Sequence, residues 1–343
     1  LTNAREFIET LSEINKGDNP KPVIVLKSGR TEAGAGAIAS HTGSLAGGDA
    51  AYNALFKQAG MIRASSIKEL FDLAQVFARN PLKRASNLAI ITNAGGPGVL
   101  TTDEATDNGL KMAKLSDDTK AKLDEYLPAA ASSHNPVDVL GDAQADRYQY
   151  ALEVVAQDKN VDSIQVIMTP QSMTEVEETA KAAIQIKKKT SKPIVVSMMG
   201  AATVKPGVDL LNQDEVATTS FPEPGAKGLA QLDEFVTWHE NENESALTFA
   251  DVDQEKVAAI FAEAKAKGQT SFPEAEAMEI MKAYNFPLLQ SEVAHSADEA
   301  LQIAQKINSK LAMKIVSPDI LHKSDVGGVM LNVTADDIQE KYQ

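Results

Sequence analysis

His41 lies in the run Gly34-Ala35-Gly36-Ala37-Ile38-Ala39-Ser40-His41-Thr42-Gly43-Ser44-Leu45-Ala46-Gly47-Gly48, where every other residue is Gly, Ala, Ser or Thr except Ile38 and Leu45. Glycines and small side chains let backbone N–H groups come close to an anion, so the run, including Gly43 and Ser44, suits phosphate. An apolar strand pattern at residues 22–26 precedes it and a helical pattern begins near Asp49, which puts Gly47 and Gly48 at a helix N-terminus. A histidine there, with a reference pKa of about 6.5, has a neutral ring nitrogen available near pH 7 to accept a phosphoryl group. The same residues also suit a loop histidine that only caps the helix, and local sequence leaves both readings open. A second unit repeats the plan: strand pattern 88–92, then Asn93-Ala94-Gly95-Gly96-Pro97-Gly98, then a helical pattern over 99–108. Gly95, Gly96 and Gly98 are therefore further candidates for phosphate contact, and Pro97 suits a first helical turn.

Composition narrows the function classes. The chain has 343 residues, with 33 basic against 48 acidic and a net charge of −15. That balance argues against a nucleic-acid or anionic-membrane surface. There is no cysteine, so disulfides, a thiolate nucleophile and a Cys-based metal site are excluded, and a cytoplasmic location is the simplest expectation. No apolar run reaches the roughly 18–20 residues of a spanning helix. The chain does not begin with methionine and enters a helical pattern at Asn3, which suggests a piece of a longer protein.

The positioning elements follow from periodicity. Helical patterns cover 3–15, 50–58 and 67–78, and strand patterns cover 23–26 and 61–64, the unbroken run 23–26 suiting a strand buried on both faces. Pro, Asn and charge at 80–84 read as a linker. The second unit continues with strands at 137–140, 163–168 and 194–198 and helices at 147–156 and 175–188, an alternation that implies parallel pairing with right-handed crossovers. Residues 239–271 read as a charged linker with a helix at 257–266. The last part reads as helix 274–284, strand 288–293, helix 297–307 and strand 312–316. Domains are expected at 1–80, 81–238 and 272–343.

Three segments carry a resemblance. Residues 21–30 leading to Ser40-His41-Thr42-Gly43-Ser44-Leu45-Ala46-Gly47, residues 90–98 with Asn135-Pro136-Val137-Asp138, and residues 313–329 are similar to the ADP-forming acyl-CoA synthetases, relatives of succinyl-CoA synthetase. The resemblance implies an α/β protein: two flavodoxin-like doubly wound parallel-sheet domains, then the start of an ATP-grasp domain, in the order of fused-subunit members. It implies that acyl-CoA and phosphate give acyl phosphate and CoA, that the phosphoryl group passes to His41, and that ADP takes it to form ATP. The helix N-termini after Gly47-Gly48 and Gly95-Gly96 would hold the phosphate from two sides. His322, beside Lys323, Ser324, Asp325, Gly327 and Gly328, would be a second phosphohistidine relaying the group, although Asp325 could simply fix a loop histidine. Lys314 resembles the ATP-grasp lysine that meets nucleotide phosphates, against an ordinary solvated strand-edge charge. Implied ligands are CoA, ATP or ADP, phosphate, an acyl-CoA, its carboxylic acid, and Mg²⁺ carried by the nucleotide on ligands elsewhere; a homo-oligomer is expected. His134 and Asp138 read as structural, His239 and His295 take no role, and Arg30 and Glu32 could shape substrate entry. The rival class is the acyl-CoA- or nucleotide-sensing region of a protein lysine acetyltransferase, for which a nucleophilic histidine would be superfluous; an inactive scaffold is a third.

Overall fold

The computed structural model describes the chain apart from residues 1, 2, 16, 18, 32, 35, 37–47, 243–248 and 318–322. It forms two compact units, Leu1–Glu244 and Ser245–Gln343. In the first, helix α1 (Ala4–Asn15) is capped by Asn3, whose Oδ1 accepts the Glu6 amide at 3.2 Å. Strands β1 (Ile24–Leu26) and β2 (Ile62–Ala64) pair in parallel around helix α2 (Asp49–Gln58), and helix α3 (Ile67–Arg79) follows. Ser66 caps α3 by accepting the Glu69 amide, and Glu69 reaches back to the Ser65 amide, a reciprocal pair that fixes where the helix begins. The expectation that 23–26 is buried on both faces does not hold. β1 is half-buried and Leu26 is 38% exposed, because β1 has a ladder only with β2 among the described residues.

The main sheet is parallel throughout. Its strands are β3 (Asn87–Thr92), β4 (Lys111–Met112), β5 (Val137–Asp138), β6 (Ser163–Met168), β7 (Ile194–Met198) and β8 (Ala217–Thr219). They alternate with α4 (Gly95–Asp107), α5 (Asp117–Tyr126), α6 (Ala145–Gln157), α7 (Val176–Lys189), α8 (Lys205–Gln213) and α9 (Pro222–Glu242). The order is β4-β3-β6-β7-β8, with β5 beside the far end of β3 on the β4 edge. This is the flavodoxin-like order, in which the winding reverses between β3 and β6. β6 and β7 are buried along their whole length, so their apolar runs show no alternation. One core joins Ile91, Ile164 and Val196 to residues of α6, α7 and α8; the other joins Leu88, Ile90 and Val195 to α3 and α9.

Three expectations change here. Residues 80–84 are not a free linker: Asn80 is buried, donating to the Val76 carbonyl and accepting the Ile194 amide at 2.7 Å, while Arg84 pairs with Asp233. Helix α9 extends through 239–242, into the stretch read as linker. Helix α4 begins at Gly95 rather than Val99, so the glycines form its first turn.

The second unit contains α10 (Gln254–Ala266), α11 (Glu274–Ala283), α12 (Ala297–Ile307), the antiparallel strands β9 (Leu311–Lys314) and β10 (Val329–Val333), and α13 (Ile338–Tyr342). Its core is small: Ala300, Ala304, Val333 and Ile338. The strand read at 288–293 is absent; this stretch joins no ladder, and Leu289 is 90% exposed.

Candidate active site

In an open α/β sheet, ligands bind outside the carboxyl ends of the strands where the winding reverses. Here that point lies between β3 and β6, and the residues following both strands are tied together. Asn93 Nδ2 donates to the Thr169 carbonyl at 2.8 Å, and its Oδ1 accepts from the Thr169 amide at 2.9 Å and hydroxyl at 3.1 Å. Thr92 Oγ1 accepts the Ala94 amide at 3.0 Å and donates to the Ala94 carbonyl at 2.9 Å, which sets the turn from strand into helix. Ala94 is the N-cap of α4 and offers no side-chain cap. Gly95 and Gly96, exposed in the first turn, keep amides for which the helix has no carbonyl. A Cβ on Gly96 would meet nothing within 4 Å among the described residues, which leaves room there for a ligand. Gly98 differs from the expectation of phosphate contact: it is buried, its amide donates to the Ala94 carbonyl, and a Cβ would stand 3.2 Å from Thr92 Cγ2. Its role is close helix–strand packing.

The segment from Asn135 to Asp142 frames this mouth. Between the short strands β4 and β5, the Asn135 side chain takes the place of a strand partner. Its Oδ1 accepts the Ile90 amide at 2.9 Å, and its Nδ2 donates to the Leu88 and Ala113 carbonyls at 2.7 and 3.1 Å. Asp138 Oδ1 accepts the Leu140 amide at 2.9 Å and holds Leu140 at φ 74°, a left-handed conformation unusual for leucine. The other oxygen, Oδ2, lies 3.9 Å from where a Cβ on Gly95 would be. Asp138 is thus bonded to a loop amide, as its sequence context suggests, and also stands beside the α4 N-terminus. His134 is exposed, and its backbone carbonyl and amide bond to the Ser132 hydroxyl at 3.3 Å.

At the other expected helix N-terminus, Gly48 is the N-cap of α2 and again provides no side-chain cap. Asp49 in the first turn is gripped by Arg63 of β2, with Nη2 to Oδ1 at 2.6 Å and Nη1 to Oδ2 at 3.2 Å. Lys27 adds a contact at 3.7 Å. The Arg63 guanidinium, helped by Lys27 and Arg30, holds the Asp49 carboxyl below its usual range. Its negative charge is therefore matched beside a helix end expected to receive phosphate. His41, Gly43, Ser44 and Gly47 lie outside the described residues, as does His322.

Comparison with known proteins bears on this arrangement. Residues 1–77 match the succinyl-CoA ligase like flavodoxin domain, residues 88–243 the Ligase-CoA domain, and residues 263–343 an ATP-grasp domain. The 4-hydroxybutyrate–CoA ligase [ADP-forming] of Nitrosopumilus maritimus is 37% identical over 98% of this chain and 48% of its own length. The acetate–CoA ligase [ADP-forming] I of Archaeoglobus fulgidus is 36% identical over 100% of this chain and 48% of its own. The chain belongs to the ADP-forming acyl-CoA ligase family. It spans about half the length of these curated relatives. A solved family structure, the dinucleotide forming acetyl-coenzyme A synthetase 1 of Ca. Korarchaeum cryptofilum in complex with phosphate and ADP, superposes with TM-score 0.66 at 32% identity. That match covers 71% of this chain and 53% of the other.

Within the part matched as ATP-grasp, Lys314 ends β9 and its Nζ meets Glu274 Oε1 at 2.7 Å. Lys323 Nζ meets Oε2 of the same carboxylate at 2.7 Å. Lys314 is therefore not a solitary strand-edge charge. Glu274, Lys323, Asn93 and Thr169 were not identifiable as site residues from sequence, since each is joined to its partner only by the fold. Among the described residues no group of three or more His, Asp or Glu could hold a metal ion, and no helix is long and apolar enough to cross a membrane.

Proposed function

We propose that this chain provides the phosphoryl-carrier part of an ADP-forming acyl-CoA ligase, with His41 as the carrier. Phosphate displaces CoA from acyl-CoA to give acyl phosphate; a neutral nitrogen of His41 takes the phosphoryl group and releases the carboxylic acid; ADP then accepts it to form ATP. Such transfer asks mainly for positioning and for neutralisation of phosphate charge. In this reading the α4 first turn supplies the Gly95 and Gly96 amides, and the α2 terminus at Gly48 supplies the opposing donors, with Gly43, Ser44 and Gly47 completing the His41 loop. His322 relays the group toward the nucleotide, and Lys314 meets its phosphates.

The observation that carries the proposal is the α4 N-terminus: an uncapped glycine turn, open to ligand, at the winding reversal of the sheet, in a chain of this family. Substrates are an acyl-CoA, its acid and a nucleotide; Mg²⁺ arrives with the nucleotide, the assembly is a homo-oligomer, and the location is the cytoplasm. Assaying ATP formation from acyl-CoA, ADP and phosphate tests the proposal. Activity abolished by His41→Ala is expected, and activity unchanged in that variant overturns it.

A further inference from the structure

Residues 323–328 fold as a turn pinned to β9. The Gly328 amide donates to the Lys323 carbonyl at 2.7 Å, and the Ile315 amide, just after Lys314, donates to the Gly328 carbonyl at 2.9 Å. Gly327 has φ 70°, and a Cβ on Gly328 would stand 2.1 Å from Ile315 Cγ2, so both positions need glycine for the turn to close on the strand. The turn brings Lys323 next to Lys314, and two ammonium groups so placed repel. Glu274, the first residue of α11, removes the repulsion by giving one oxygen to each lysine at 2.7 Å. The Lys323 side chain is 19% exposed and Glu274 42%, so the pairing adds little stability and matters mainly for geometry.

Each ammonium has three donors and, among the described residues, spends one on Glu274, which leaves donors for a ligand. Protein kinases use the same device, a helix glutamate holding a strand lysine for the α- and β-phosphates. We propose that Glu274 is a positioning residue that holds Lys314 and Lys323 together as a two-lysine cradle for the diphosphate of the nucleotide. This rests on the reading of Lys314 as a phosphate contact, and it extends that reading to Lys323 and to the carboxylate between them.

Binding of ADP and of adenosine to the full chain, measured by calorimetry for wild type, Glu274→Gln, Glu274→Asp, Lys314→Ala and Lys323→Ala, tests it. A charged hydrogen bond is worth about tenfold or more in affinity, so Glu274→Gln and Lys323→Ala are each expected to weaken ADP about tenfold. Adenosine binding stays unchanged, because only the phosphate contacts are disturbed, and Glu274→Asp recovers part of the ADP affinity. ADP affinity unchanged in Glu274→Gln while Lys314→Ala loses it overturns the role of Glu274 and leaves the reading of Lys314 intact. ADP affinity unchanged in Lys314→Ala, or no ADP binding by wild type, overturns both. Equal weakening of ADP and adenosine in Glu274→Gln marks a general structural defect and also overturns the positioning role. Thermal unfolding of each variant confirms that it is folded.

Discussion

Asn135 lies beside the glycine turn and belongs to a segment with family resemblance, yet its contacts make it a structural residue; truncation separates the two roles. In Asn135→Ala, the Ile90 amide loses its acceptor, and Ile90 is fully buried. Leaving one buried donor without a partner costs about 1–3 kcal/mol. The Leu88 carbonyl keeps the Ala113 amide, so it loses one of two donors and suffers less. The Ala113 carbonyl also loses the Asn135 donor. Adding about 0.5–1 kcal/mol for each of the two carbonyls gives a total of about 2–5 kcal/mol. At about 2–4 °C per kcal/mol for a folding unit of this size, the unfolding midpoint falls by roughly 4–20 °C. The neighbouring His134→Ala is the control, expected within about 0.5 kcal/mol of wild type because the side chain is exposed. Urea and thermal unfolding followed by circular dichroism measure both. A loss under about 0.5 kcal/mol for Asn135→Ala refutes the claim that its amide substitutes for a strand between β4 and β5.

Gly96→Ala places a methyl group where nothing lies within 4 Å among the described residues, so the fold should be unaffected or stabilised by less than about 1 kcal/mol, while ATP synthesis falls because the approach to the α4 amides narrows; full activity in this variant argues against phosphate at that turn. In the second unit, Lys256 and Lys282 hold Glu279 down to about 2, and Lys341 with the Thr334 amide holds Asp337 down to about 2. Carboxylates with depressed values stabilise above their ordinary pKa of about 4 and lose that contribution as pH falls toward the folded value. The second unit should therefore loosen between about pH 4.5 and 2, and amide exchange in α10, α11 and α13 should accelerate before that in β3, β6 and β7, which share a far larger core. Simultaneous loss in both units contradicts this order. His322→Ala should leave phosphate trapped on His41 and stop ATP formation; unchanged synthesis removes His322 from the relay.

Legibility followed burial. Strands β6 and β7 could be placed from sequence because both faces are covered and the runs are mostly apolar, interrupted only by Ser163, Gln165 and Ser197. Strands β4 and β8 have two and three residues, too few for any period to show, while the strand read at 137–140 corresponds to the two residues of β5. Helix α9 carries Pro222, Pro224, Gly225 and Gly228, which look like helix breakers, but the glycines are demanded by packing. A Cβ on Gly225 would lie 2.7 Å from Gln165 Nε2, and one on Gly228 2.7 Å from Val76 Cγ2. Residues 288–293 show the reverse case, a strand-like run from Leu288 to Val293 with no neighbour to pair with among the described residues. At the site, the glycine turn was visible as a motif. Its first and last glycines have different jobs, which only the position of Thr92 against Gly98 reveals. Glu274 and Lys323 are 49 residues apart and meet only because the Gly327-Gly328 turn folds back on β9.

The most direct test of the central claim is the chemical identity of the phosphorylated residue. After incubation with acyl-CoA and radiolabelled phosphate, followed by proteolysis and mass spectrometry, label that is acid-labile, base-stable and mapped to His41 is the predicted result, with none in His41→Ala. Label that persists in His41→Ala, or that maps only to other residues, contradicts the account.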